Sequence, residues 1–120
     1  MTTTLSAITV DCADAARVAA FWAAALGQTV DDGATDEFAS IRAGEGSATA
    51  VPWMFVQVPE SKQAKNRLHL DLTASEPSEV IEGLVALGAT RLGDFDEDGT
   101  QWTTLADPEG NELDILHGAP

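Results

Sequence analysis

The feature that most constrains what this chain can fold into is that its pattern is written twice. A strand, a helix and three further strands are predicted on each side of a short polar link. Leu26-Gly27 closes the first helical segment and Leu87-Gly88 the second, 61 residues further on. Asp14 stands before the first helix and Glu76 before the second, at an offset of 62. A βαβββ unit that packs its helix on one sheet face leaves the opposite face free, and two such units side by side curl around a shared hollow, where ligand pockets form. The predicted fold class is α+β: paired βαβββ modules forming an open, cup-shaped mixed sheet with helices on the outer face. The 120 residues make one domain, with module one at about 5–58, a linker at 59–66 and module two at about 67–116.

Local signals place the elements. Ser6 to Asp11 reads as a strand with Ile8 and Val10 inward and Ala7, Thr9 and Asp11 on the opposite face. Asp14 is a natural N-cap and Gly27 a natural C′ residue for an Ala-rich helix over 15–26. Its apolar stripe is Val18, Phe21, Trp22, Ala25 and Leu26, which puts Trp22 in the core. Gln28–Asp32, Glu37–Ala43 and Thr49–Val58 are predicted strands, separated by turn signals at Asp32-Gly33 and Gly44-Glu45-Gly46. Pro59 to Asn66 is the link, and its Lys62 and Lys65 read as solvated charges. The stretch Arg67-Leu68-His69-Leu70-Asp71-Leu72-Thr73 then alternates at period two. Its leucines point to a helix-packed core, with His69, Asp71 and Thr73 on the other face. Ser75-Glu76-Pro77 starts a second helix with Val80, Ile81, Leu84 and Leu87 buried, ended by Gly88. A hairpin turns at Asp98-Gly99, and Asp107-Pro108-Glu109-Gly110-Asn111 leads into a closing strand over 112–116. His117 reads as exposed tail.

Composition narrows the function classes. Twenty acidic against six basic residues leave a net charge of −14, which excludes nucleic acid as a partner because phosphate binding needs clustered Lys and Arg. No apolar stretch approaches the roughly 18 residues of a membrane span. The opening residues show no basic region followed by an apolar run, so no leader is expected. The single Cys12 makes no internal disulfide or cysteine zinc site and suits a reducing cytoplasm. With two histidines and no Ser–His–Asp or Cys–His arrangement, nucleophilic catalysis has little support. Asp94, Asp96 and Asp98 match the opening of a calcium loop, but its twelfth position is Leu105 where a bidentate Glu is needed, so the segment reads as a solvated hairpin tip.

The faces turned away from the helices gather Thr9, Trp53, Phe55, Gln57, His69 and Asp71, then Trp102, Glu112 and Asp114. Aromatic walls with a few polar groups suit a small organic ligand, although the same aromatics are also suited to filling the cup or facing a second copy. Substrate-binding candidates are Trp53, Phe55, Gln57, Asp71 and Trp102. Arg67 has two readings, a bidentate carboxylate anchor or a partner for a surface acid.

Several stretches together resemble the glyoxalase/bleomycin-resistance/dioxygenase (vicinal oxygen chelate) superfamily, in its small glyoxalase-like branch. They are the helix Ala20-Phe21-Trp22-Ala23-Ala24-Ala25-Leu26-Gly27, the central Lys65 to Leu72, Leu87-Gly88-Ala89, and Asp107 to Leu113. The resemblance implies metal ligands on the first and last strands of each module, facing the cup. On that pattern His69 and Asp114 are donors, Gln57 a weak third, and Ala7 stands where a further ligand belongs. Two donors and an alanine fall short of the three protein ligands a catalytic metal wants. No cofactor is therefore the leading expectation, with one divalent metal (Zn, Ni, Mn or Fe) as the alternative. His69 is also a candidate metal-free acid or base, since histidine is the side chain suited to proton transfer near neutrality. A homodimer is implied by the resemblance alone.

Three functions follow. The first is a bleomycin-resistance-like protein that binds a small, partly aromatic or apolar molecule without an intact catalytic metal. The second is a metal-dependent lyase, isomerase or dioxygenase using His69 and Asp114. The third is a structural or interaction protein whose cup is occluded. Fold alone does not choose among them, so whether the chain is an enzyme stays open at this point.

Overall fold

The computed structural model describes residues 2–43 and 49–117, so the turn expected at Gly44-Glu45-Gly46 lies outside the described residues. The chain divides into two compact units, Met1–Ser61 and Lys62–Pro120. Each is an α+β layer of one helix against one mixed sheet, and neither sheet closes into a barrel.

Unit 1 holds β1 (Ile8–Cys12), α1 (Ala15–Leu26), β2 (Phe38–Ile41) and β3 (Trp53–Gln57), with strand order β1-β3-β2. The helix is where its sequence puts it. The Asp14 side chain accepts from the Arg17 N–H at 3.3 Å, offsetting one of the orphan donors of the first turn. Gly27 ends the helix at φ 67°, its N–H reaching the carbonyls of Ala23 and Ala24, a left-handed turn that glycine adopts at little cost. Val18, Phe21 and Trp22 are buried beneath it.

Two expectations fail in this unit. Gln28–Asp32 is not a strand: the Asp31 N–H makes a single bond to the Ser40 carbonyl at 2.9 Å where a ladder would need several, and a Gly33 turn at φ 92° follows. The sheet therefore has three strands. The face of β3 is also reversed. β1 and β3 run parallel with Ile8 opposite Trp53 and Val10 opposite Phe55, so the two rings share the inward face of Ile8 and Val10. Trp53 and Phe55 are 2% and 0% exposed, with Trp53 5.0 Å from Trp22 between ring centres. Met54 takes the open face instead. Both faces of β3 are apolar, so alternation cannot choose between them, and the register with β1 does.

Unit 2 is a full βαβββ module: β4 (Leu70–Ala74), α2 (Pro77–Ala86), β5 (Thr90–Glu97), β6 (Thr100–Ala106) and β7 (Glu112–His117). Its strand order is β4-β7-β6-β5, with β4 and β7 parallel. Pro77 opens α2 and the helix packs on β7 and β4 through Ile81 and Leu84, over a core that includes Leu105, Leu113 and Ile115. Leu87, expected to be buried, is exposed because the helix stops at Ala86. Leu68 is 87% exposed: the ladder begins at Leu70 opposite Leu113, so Leu68 precedes it and faces no strand. Leu70 and Leu72 keep the inward face.

The hairpin turns on Asp98 (φ 50°) and Gly99 (φ 81°), the paired left-handed residues of a tight turn matched to sheet twist. The Asp107 carboxylate, buried, ties the following turn by accepting from the N–H groups of Glu109 and Asn111 at 2.8 and 3.0 Å. His117 is a strand residue rather than tail, with Nε2 2.9 Å from the Thr103 hydroxyl.

Candidate functional site

The helix-free face of the unit 2 sheet is built by register. Asp71 on β4 stands directly opposite Asp114 on β7, and Asp114 opposite Thr104 on β6. One step along, Leu116 pairs with Trp102, and Trp102 with Phe95 on β5. A carboxylate row and an apolar row thus lie side by side, and they line a cavity of about 570 Å³. Phe95 and Trp102 stack at 5.5 Å with 18° between ring planes. Leu92 joins them because the register shifts between Arg91 and Gly93, and such a bulge re-aims the extra residue.

At the polar end His69 Nδ1 is 3.1 Å from Asp71 Oδ1 and 3.5 Å from Asp114 Oδ2. One ligand atom from each of the three side chains lies within 4.8 Å of the others. The Thr104 hydroxyl donates to Asp114 Oδ1 at 2.7 Å, which turns the other oxygen toward His69. Asp114 is nearly buried, whereas the side chains of His69 and Asp71 are 42% and 50% exposed. Two carboxylates facing each other across neighbouring strands repel, so this row favours a positive charge between them. His69 Nδ1 stands beside both oxygens, and a bound cation would supply such a charge.

Glu112 closes the same end. Burial pushes its carboxyl up, but the Asn66 N–H at 3.1 Å and Lys62 Nζ at 3.3 Å outweigh it and hold the group below its ordinary value. Lys62 is therefore an ion-pair partner rather than a free linker charge, and Lys65 lines the cavity.

The divalent cation implied by the resemblance can be tested on donor chemistry. One imidazole nitrogen and two carboxylate oxygens form a set that suits Mn, Fe or Zn, and the exposed side of His69 and Asp71 leaves room for further ligands. The residues fit. Within unit 2 the converging group is His69, Asp71 and Asp114; Gln57, the expected weak third donor, lies in unit 1, where its Nε2 donates to the Ala13 carbonyl at 3.0 Å. Sequence reasoning placed Asp71 on this face but not among the donors, although a His-x-Asp spacing on one strand face was the available signal.

Of the remaining candidates, Trp102 and Asp71 line the cavity. Trp53 and Phe55, expected on a ligand wall, are core residues of unit 1, and Arg67 is exposed in the bend before β4, outside the lining. Phe95, Leu92 and Leu116 were missed. Phe95 was within reach, because a two-residue turn at Asp98-Gly99 puts it across from Trp102.

On the opposite sheet face the buried Thr103 hydroxyl donates to Asp94 at 2.7 Å, and Arg91 grips the same carboxylate at 2.9 and 3.0 Å. The Thr103 bond and then the Arg91 guanidinium hold Asp94 below the ordinary carboxylate range. The Asp94–Gly99 stretch is the end of a strand and its turn.

The glyoxalase-like domain model matches residues 7–116. No curated protein matches the sequence. Among solved structures, a glyoxalase/bleomycin resistance protein/dioxygenase family enzyme from Burkholderia phytofirmans superposes with TM-score 0.75 at 16% identity, over 96% of this chain and 98% of that one. The fosfomycin resistance protein FosX of Listeria monocytogenes does so with TM-score 0.73 at 14% identity, over 99% and 96%. Lactoylglutathione lyase from Agrobacterium tumefaciens gives 0.64 at 14% identity, over 98% and 95%. At these identities the likeness is one of fold.

Proposed function

Because this chain belongs to the glyoxalase-like domain family, within the glyoxalase/bleomycin-resistance/dioxygenase superfamily, we propose that it binds a small, partly aromatic or apolar organic molecule in the cavity on the free sheet face of unit 2. A fosfomycin resistance protein and a lactoylglutathione lyase share its fold, so fold leaves the ligand open and the lining must decide it. The observation that carries the reading is the Phe95–Trp102 stack beside Leu92 and Leu116 in a cavity of about 570 Å³, a volume in the range of small-molecule sites. Phe95 is 46% exposed, an apolar surface that a planar ligand would cover. A homodimer in the cytoplasm, expected from the resemblance and the lone cysteine, is part of the same proposal and is checked by sedimentation equilibrium.

The test uses intrinsic fluorescence. Trp22 and Trp53 are buried and Trp102 lines the cavity, so a planar probe such as 1-naphthol is expected to quench Trp102 saturably. Trp102→Ala removes one face of the stack and part of the apolar contact, about 2 kcal/mol together, which is about thirtyfold in Kd by competition or calorimetry. Equal affinity of the variant and the parent would end this reading.

A second reading, a divalent-metal-dependent lyase, isomerase or dioxygenase, is favoured by one observation: the donor atoms of His69, Asp71 and Asp114 converge within 4.8 Å. In it a bound metal would polarise an oxygen of the substrate, while Thr104 positions Asp114 and the aromatic pair orients the apolar part. His69, half-exposed at the cavity's polar end, is the candidate acid or base in this reading.

A further inference from the structure

We propose that a hydrogen-bonded chain on the helix side of the unit 2 sheet, running Arg91–Asp94–Thr103–His117, positions the aromatic wall of the cavity on the other side. None of these four residues lines that cavity. They act through the bulge at Leu92-Gly93, which they clip from beneath. The assignment rests on the first reading above and deepens it, because it identifies what presents Leu92 and Phe95 to a ligand.

Three observations carry it. In a regular strand, residues three apart face opposite sides of the sheet, so Arg91 and Asp94 would not meet. Here the register shifts between Arg91, opposite Leu105, and Gly93, opposite Thr104. The extra residue brings Arg91 to the side of Asp94, and its guanidinium reaches both carboxylate oxygens at 2.9 and 3.0 Å. The ion pair thus spans the bulge, and the bulge decides which side chains reach the cavity. An unbulged ladder continued from Arg91 would set Asp94 opposite Trp102 and turn Phe95 to the helix side. Second, the fully buried Thr103 hydroxyl donates to Asp94 at 2.7 Å. With its one proton committed there, its oxygen accepts from His117 Nε2 at 2.9 Å, so the chain ties β5 to β6 and β7. Third, a Cβ at Gly93 would stand 3.4 Å from the Phe95 ring: the ring lies against the bulge itself. Asp94 and Thr103 are cross-strand partners, and the next residues along, Phe95 and Trp102, pair and stack at 5.5 Å on the cavity side.

The experiment uses the full chain and 1-naphthol, with Kd measured by calorimetry. Thr103→Val keeps the side-chain shape and removes the hydroxyl, and Arg91→Ala opens the clip from its exposed end. Each is expected to raise Kd about threefold to thirtyfold, the range in which residues behind a site act on it, and Thr103→Ser to return it to within about twofold of the parent. Gln101→Ala, which removes a bond to Asp96 at 3.1 Å on the same side, leaves Kd unchanged. In a Phe95→Ala background neither Thr103→Val nor Arg91→Ala weakens binding further, because the ring through which they act is gone. Where Thr103→Val does not fold, Arg91→Ala carries the same comparisons. NMR of the ligand-free protein supplies a second readout: both variants weaken the NOEs between the Phe95 and Trp102 rings, while those between Glu97 and Thr100 beside the turn persist. Parent-like ring NOEs in both variants overturn the proposal. So does a parent-like Kd in both, a loss undiminished in the Phe95→Ala background, or a Gln101→Ala loss as large as theirs. A parent protein that ignores naphthol ends the ligand reading alone, and the ring NOEs then decide the positioning role.

Discussion

Phe55→Ala separates a core aromatic from a ligand wall more sharply than any other substitution. The ring is 0% exposed, 6.3 Å from that of Trp53, and its strand neighbours in register are Val10 on β1 and Ala39 on β2. Truncation removes its transfer energy and leaves a cavity that a helix capped at both ends is poorly placed to fill. Losses for buried Phe→Ala run about 3–5 kcal/mol. With a urea dependence of about 2 kcal/mol per molar, typical of a small domain, a loss of about 4 kcal/mol moves the unfolding midpoint down by about 2 M. Trp102→Ala, by contrast, deletes a half-buried ring whose stacking contributes about 0.5–1.5 kcal/mol, and its midpoint falls by less than about 1 M. The assay is urea unfolding followed by far-UV circular dichroism, paired with naphthol binding to each folded variant. A Phe55→Ala midpoint within about 0.5 M of the parent, together with weakened probe binding, would refute the placement of this ring in the core and return it to the ligand wall.

Three further outcomes are expected. Lys62→Ala removes one of the contacts that hold Glu112 low, so its carboxyl titrates higher by NMR. Because the folded value is depressed, this group stabilises the fold above its ordinary 4.5 and loses that contribution as pH falls through the folded value. Acid unfolding of the variant should therefore be less steep in that window, and unchanged steepness would contradict the pairing. Ser40→Ala likewise raises Asp31, whose carboxyl is held down first by the Ser40 hydroxyl at 2.7 Å and then by Arg42; a titration curve identical to the parent would argue against that bond. Asp107→Ala strips the acceptor from the Glu109 and Asn111 N–H groups and from Asn111 Nδ2, three part-buried bonds whose loss costs about 2–3 kcal/mol together. A loss below about 1 kcal/mol by chemical denaturation would show that the turn is held otherwise.

How much was legible depends on the range of the interactions. The first helix, the hairpin and the turn before the last strand were readable because each is decided within a few residues: a side-chain cap at Asp14, a left-handed glycine at 27, paired positive φ angles at Asp98 and Gly99. The second module was readable as well, since Leu70, Leu72, Leu113 and Ile115 face one way while Asp71 and Asp114 face the other. Alternation failed where it carried no contrast. β3 has apolar residues on both faces, and in Gln28–Asp32 the Gln28 N–H bonds to the helix end and the Asp31 N–H to Ser40, outside any ladder.

The site shows the same division. The chain's own order determined that His69 and Asp71 share a face, that Phe95 lies across from Trp102, and that two similar modules follow one another. Only tertiary structure decided that Asp71 meets Asp114, that Leu92 turns to the cavity and that Trp53 does not line it. Strand register is the reason: it is set by pairing between segments tens of residues apart, and shifting it by one residue exchanges core for surface along a whole strand.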